Sequence, residues 1–165
     1  MPRKAFVPCT LRELPAARRA QPGRISVLTA NYWGKDGVKL GVGFLDNPPA
    51  ALRTRLLSHM NSWGTAANVQ FLEASPGNAV VRIARQRGDG YWSYLGTDCL
   101  SIPANRQTMN LEGFTLRTPE SEWTRVVTHE FGHCLTGDTL IDCPRDLNKH
   151  PHGIPIKDLV GQQPW

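Results

Sequence analysis

The 165-residue chain contains no uninterrupted apolar run of about 18 residues, so no membrane-spanning helix is expected from it. The first residues, Met1-Pro-Arg-Lys4, are basic but lead into no apolar stretch, so no secretory signal is visible. Cysteine is sparse: Cys9, Cys99, Cys134 and Cys143 form no C-x-x-C pair, which argues against a structural zinc ribbon. Four cysteines allow three disulfide pairings, and spacing alone selects none of them. Cys134 falls on a helix face directed at the core and reads as a buried thiol. The C-terminal end has its own gaps. No glutamate follows Glu130, no methionine follows Met109 and no tyrosine follows Tyr94. Internal repeats and low-complexity tracts are absent.

Hydrophobic residues make up 40% of the chain and charged residues 20%, a balance that suits one soluble globular domain with a substantial core. The formal net charge is +5. The basic residues are scattered, at Arg18 and Arg19, then Arg82, Arg85 and Arg87, then single lysines. A nucleic-acid partner would require a basic stripe interleaved with aromatics, so none is expected; a surface that favours acidic partners is the milder inference.

One stretch carries chemistry. Val126-Val-Thr-His-Glu-Phe-Gly-His133 contains H-E-x-x-H. Residues four apart share one helix face, so His129 and His133 can hold one zinc ion between them. Glu130, about 100° further round, is placed to take a proton from water activated at that metal. The helix has a start signal: Thr118 as N-cap, Pro119 in the first turn, then Glu120 and Glu122 at the positive end. Trp123, Val127, Phe131 and Cys134 fall on a core-facing side, and His129, His133 and Val126 on an adjacent face toward a cleft.

Strands are expected over Arg24–Ala30, Leu40–Asp46, Ala67–Leu72, Ala79–Ala84, Tyr91–Gly96 and Gln107–Glu112, from alternating or β-prone residues between turn signals. After Asn47-Pro-Pro49, with Asn47 as cap, Leu52, Leu56, Met60 and Trp63 trace the apolar stripe of a helix. His59 has no partner at helical spacing and reads as a packing or surface histidine. The chain divides into an extended lead-in over 1–23, a catalytic domain over 24–137 and an irregular tail over 138–165.

The order strand, helix, several strands, then an H-E-x-x-H helix resembles the N-terminal subdomain of the metzincin zinc peptidases, and among them the astacin-like branch. The matching residues are Phe44-Leu-Asp46, Trp92-Ser-Tyr-Leu-Gly96, Met109-Asn-Leu111 and Thr128-His-Glu-Phe-Gly-His133, within about Gly23 to Leu135. The resemblance implies an α+β, zincin-like fold: a twisted mixed sheet of about five strands, a backing helix, an active-site helix and a reduced lower subdomain. It implies a secreted zinc metalloendopeptidase with Zn²⁺ on His129 and His133, Glu130 as general base, and a peptide or protein substrate. Trp92, Ser93, Tyr94, Leu95 and Gly96 would form the edge strand along which that substrate pairs.

The metzincin pattern continues H-E-x-x-H-x-x-G-x-x-H, but Thr136 and Thr139 stand where its glycine and third ligand belong. The Met-turn and the astacin tyrosine also have no counterpart here. A thermolysin-like third ligand is excluded, because it would be a later glutamate. Asp138, Asp142, His150 and His152 are the candidates to complete the site. An impaired member of the same fold, kept as a peptide-binding or structural module, is the alternative. Some zinc peptidases are held latent by an N-terminal cysteine on the metal. Val7-Pro-Cys-Thr10 carries no motif of that kind, so Cys9 reads as an ordinary thiol or half of a disulfide.

Overall fold

A computed structural model of the chain describes residues 9–12, 14, 33, 37–65, 67–134, 140–141 and 154–155. The expected strand over Arg24–Ala30 lies outside them, as do Asp138, Asp142, His150 and His152.

The architecture is α+β. Six strands form one mixed sheet: β1 (Cys9–Arg12), β2 (Val38–Phe44), β3 (Val69–Glu73), β4 (Val81–Ala84), β5 (Tyr91–Tyr94) and β6 (Met109–Leu111), in the order β1-β5-β6-β4-β2-β3. All neighbours run parallel except β5 and β6. Two helical elements cover one face. The first is α1 (Ala50–Met60). The second begins as α2 (Glu120–Glu122), passes through a π-helical turn (Trp123–Val127) and ends as α3 (Thr128–Cys134). A two-stranded pairing of β7 (Leu140–Ile141) with β8 (Ile154–Pro155) falls in the stretch expected to be an irregular tail.

Among the described residues the sheet has six strands where about five were expected. The additional strand is β1, from the stretch read as an extended lead-in. It lies parallel to β5, with Cys9 opposite Tyr91 and Arg12 opposite Tyr94. This corrects the assignment of Trp92–Gly96 as an open edge: β5 is flanked by β1 and β6, and the edge belongs to β1. The strand also stops at Tyr94. Gly96 takes φ +47 and opens a 3-10 helix over Gly96–Ser101, so Leu95 and Gly96 leave the ladder.

The core follows the sequence pattern. Leu40, Val42 and Phe44 of β2 meet Leu52, Leu56 and Met60 of α1, and Phe71 meets Phe131 edge-on at 5.3 Å. Gly43, which weakens β2 as a strand, is required by packing: a Cβ there would lie 2.7 Å from Pro76 Cα. Two expected caps are not used. Asn47 sits at φ +43 in the turn before Pro49, which occupies the N-cap position without a side-chain bond. Thr118 Oγ1 accepts the Thr115 N–H, and Pro119 precedes the helix instead. His59 is a packing residue, stacked on Trp123 at 5.0 Å.

Arg82 is not a surface charge. It is 4% exposed, and its guanidinium donates to the carbonyls of Ala79, Arg106 and Ile102 at 2.8–2.9 Å. It thereby ties the loop between β5 and β6 to the sheet. Among the described residues no helix is long and apolar enough to cross a membrane.

Candidate metal centre

The site forms where α3 crosses β5. Phe131 and Cys134 anchor α3 in the core, and Trp123, Val126 and Val127 anchor the π turn before it. Val126 was expected to share the cleft face with the histidines, but it is fully buried. The π turn carries more residues per turn than an α-helix, so a count at 3.6 residues per turn misplaces the side chains around it. Past that turn the α-helical count holds: His129 is exposed, His133 half-buried, and their rings lie 4.7 Å apart.

Glu130 has no accessible surface. Burial raises its pKa, opposed by hydrogen bonds from Ser93 and then Cys9 and by the charge of Arg125. Its Oε2 accepts the Ser93 hydroxyl at 2.8 Å, while Oε1 has no hydrogen-bond partner. A buried carboxylate oxygen left in that state is costly, which suits a group that receives a proton from outside the protein.

Ser93 is the hub of the arrangement. It is fully buried, and its Oγ also lies 2.8 Å from His133 Nδ1. Burial, with a smaller effect of His129, pushes the His133 pKa down to about 4. The ring is therefore neutral at pH 7, and its 3.6 Å approach to Glu130 is no ion pair. If Nδ1–H donates to Ser93 and the hydroxyl donates to Glu130, each group has one role, and Nε2 of His133 keeps its lone pair for a metal. Burial likewise lowers the pKa of His129, helped by Arg125.

Cys9 enters from β1. The ligand atoms of Cys9, His129 and Glu130 lie within 4.8 Å of one another. Arg125 donates to the Cys9 sulfur at 3.6 Å and is itself paired with Glu122 at 2.7 Å. Burial and then Glu130 push the Cys9 thiol up to about 11, so without a metal it stays protonated. Neutral imidazoles, a thiol that metal binding would ionise and an unsatisfied carboxylate oxygen make a donor set that suits zinc.

The structure thus brings His129, Glu130 and His133 together. It adds Ser93, which the sequence placed only on a strand, and Cys9, which the sequence left as an ordinary thiol. Ser93 differs in parity from Trp92 and Tyr94 and so faces the helix, a signal that was available. Nothing near Cys9 in sequence announces its position.

No family model matches the chain. Two solved structures of myroilysin, a metallopeptidase, are similar to it. One is 34% identical with a TM-score of 0.60, covering 66% of this chain and 52% of that one. The other is 28% identical with a TM-score of 0.65, covering 81% of this chain and 52% of that one. The fold is that of a metallopeptidase. This chain spans about half the length of the myroilysin chains that it matches. The cluster of Cys9, His129 and Glu130 is a place where a metal could be held.

Proposed function

We propose that the chain is a zinc-dependent metalloendopeptidase of the astacin-like metzincin type, seen in a latent arrangement. The observation that carries this is the Ser93 hub, which orients Glu130 and His133 together beside His129 in a metallopeptidase fold. His129 and His133 would hold the metal, with Cys9 as the third ligand while β1 is in place. Asp138, His150 or His152 would complete the site once Cys9 leaves. When bound, the metal supplies Lewis-acid polarisation of the scissile carbonyl and lowers the pKa of water. Glu130 supplies the base: Oε1 takes the water proton and returns it to the leaving amine, while Ser93 holds Oε2. Neutral histidines and a raised carboxylate pKa both suit operation near neutral pH.

Latency follows from β1 itself. It occupies the side of β5 along which a substrate strand would pair, and it brings Cys9 to the metal ligands. In the full chain, replacing Cys9 and Arg12 together by alanine should raise cleavage of a denatured protein at least tenfold. Adding Glu130→Gln should abolish that cleavage while zinc content stays unchanged. The second reading, a peptide-binding module with an impaired site, is favoured by Thr136 and Thr139 at the positions of the family's glycine and third ligand. It predicts no cleavage by either variant. Cobalt substitution gives an independent check. A thiolate-to-cobalt charge-transfer band should be present in the unmutated chain and lost in Cys9→Ala, and its absence from the unmutated chain would remove Cys9 from the site.

A further inference from the structure

On the opposite face of the sheet from His129, Glu130 and His133 lies a cleft of about 400 Å³ whose lining includes Asp89, Trp92, Tyr94, Gln107 and Arg12. Side chains alternate along a strand, so β1 sends Cys9 toward α3 and Arg12 to this other face. Asp89 is fixed without help from Arg12. Its Oδ2 accepts the Trp92 indole N–H at 2.8 Å and a Gln107 amide N–H at 3.3 Å. The turn that carries Asp89 is itself held, because Glu112 accepts the N–H groups of Gly88 and Gly90 at 2.9 and 2.7 Å.

The other oxygen, Oδ1, accepts Arg12 Nη2 at 2.7 Å. The Arg12 guanidinium carbon lies 3.7 Å from the centroid of the Trp92 ring. A carboxylate held in place from behind and an indole face beside it are the two things a guanidinium needs, an anion and a π surface. Both belong to the sheet and its turn, whereas Arg12 belongs to the strand laid against it. The receptor is thus built independently of its present occupant.

We propose that Asp89 and Trp92 form a subsite for a basic side chain of a peptide strand paired along β5, making Asp89 a specificity determinant of the proposed peptidase. Arg12 fills that subsite in the latent arrangement. The substrate role rests on the peptidase reading, whereas the guanidinium site does not. Any strand that replaces β1 in the same register presents a side chain to this shelf three residues from the one beside the metal. Arginine or lysine at that position gains the ion pair and a cation–π contact, and a leucine or glutamine gains neither. Arginine should be preferred to lysine, since its planar group stacks on the indole.

The test uses the full chain and n-propylguanidine as probe, followed by tryptophan fluorescence, and requires neither metal nor turnover. Arg12→Ala empties the shelf and should bind propylguanidine saturably, at least tenfold more tightly than the unmutated chain does. Adding Asp89→Asn, which keeps an acceptor for Trp92 and Gln107 but removes the charge, should weaken binding at least tenfold. The neutral analogue n-butyramide should bind Arg12→Ala at least tenfold more weakly than propylguanidine, a comparison that stands even if the Asp89 variant fails to fold. Equal binding of the two probes, or no saturable binding to Arg12→Ala, overturns the proposal. A chain that binds propylguanidine as expected but never cleaves protein would refute the peptidase reading alone.

Discussion

Ser93 sets the geometry of the centre with one hydroxyl, lying 2.8 Å from both Glu130 Oε2 and His133 Nδ1. Removing it takes a donor from a buried carboxylate and leaves a histidine ring free to turn. Outer partners of metal-binding histidines typically contribute about 10- to 100-fold in affinity. Ser93→Ala should therefore weaken zinc binding by about that factor, measured by competition with a chromophoric chelator. Ser93→Thr retains the hydroxyl and should recover part of the loss. The histidines and Glu130 were legible because the i, i+4 rule is local. Cys9 was not, because it reaches the centre through the pairing of β1 and leaves no local pattern; Ser93 showed only its parity on the strand, and its partners depend on the docking of α3 on β5.

At the scale of elements, the apolar stripe of α1 and the alternation in β2 and β3 matched what formed, since each buries one face against the same core, whereas all four residues of β4 are buried, Arg82 among them. The departures have particular causes. Gly96 ends β5 early by entering a left-handed conformation, Asn47 and Thr118 are spent in the turns before the helices, and the π turn shifts Val126 into the core. Strand β1 has only four residues in a proline-rich stretch and exists by virtue of its partner.

Arg82 holds the β5–β6 loop through backbone carbonyls, and burial lowers its pKa. Arg82→Leu would leave several buried acceptors unsatisfied, each costing about 1–3 kcal/mol, so a stability loss of about 3 kcal/mol is expected in urea unfolding. Glu112 gives a pH signature. Its pKa is lowered from 4.5 first by the Gly88 N–H and then by the Gly90 N–H. A depressed carboxylate stabilises the fold above its unfolded pKa, and that stability is lost as pH falls through the folded value. Thermal melts of Glu112→Gln should therefore fall less steeply than those of the unmutated chain as pH drops below 4.5.

At the scale of the whole molecule, one face of the sheet carries the helices and the metal centre, and the other carries the Asp89–Trp92 shelf. Strand β1 contacts both, through Cys9 on one side and Arg12 on the other. A four-residue strand gains little from pairing alone, so these two side chains add to the hold of the ladder and of the Thr10 hydroxyl on the Tyr91 carbonyl. The proposed chemistry depends above all on a metal held by the α3 histidines. The most direct measurement is zinc per chain by elemental analysis of the purified protein. Close to one zinc is expected in the unmutated chain and in Glu130→Gln, and close to none in His133→Ala. An unmutated chain without zinc, or one whose zinc is unaffected by His133→Ala, would contradict it.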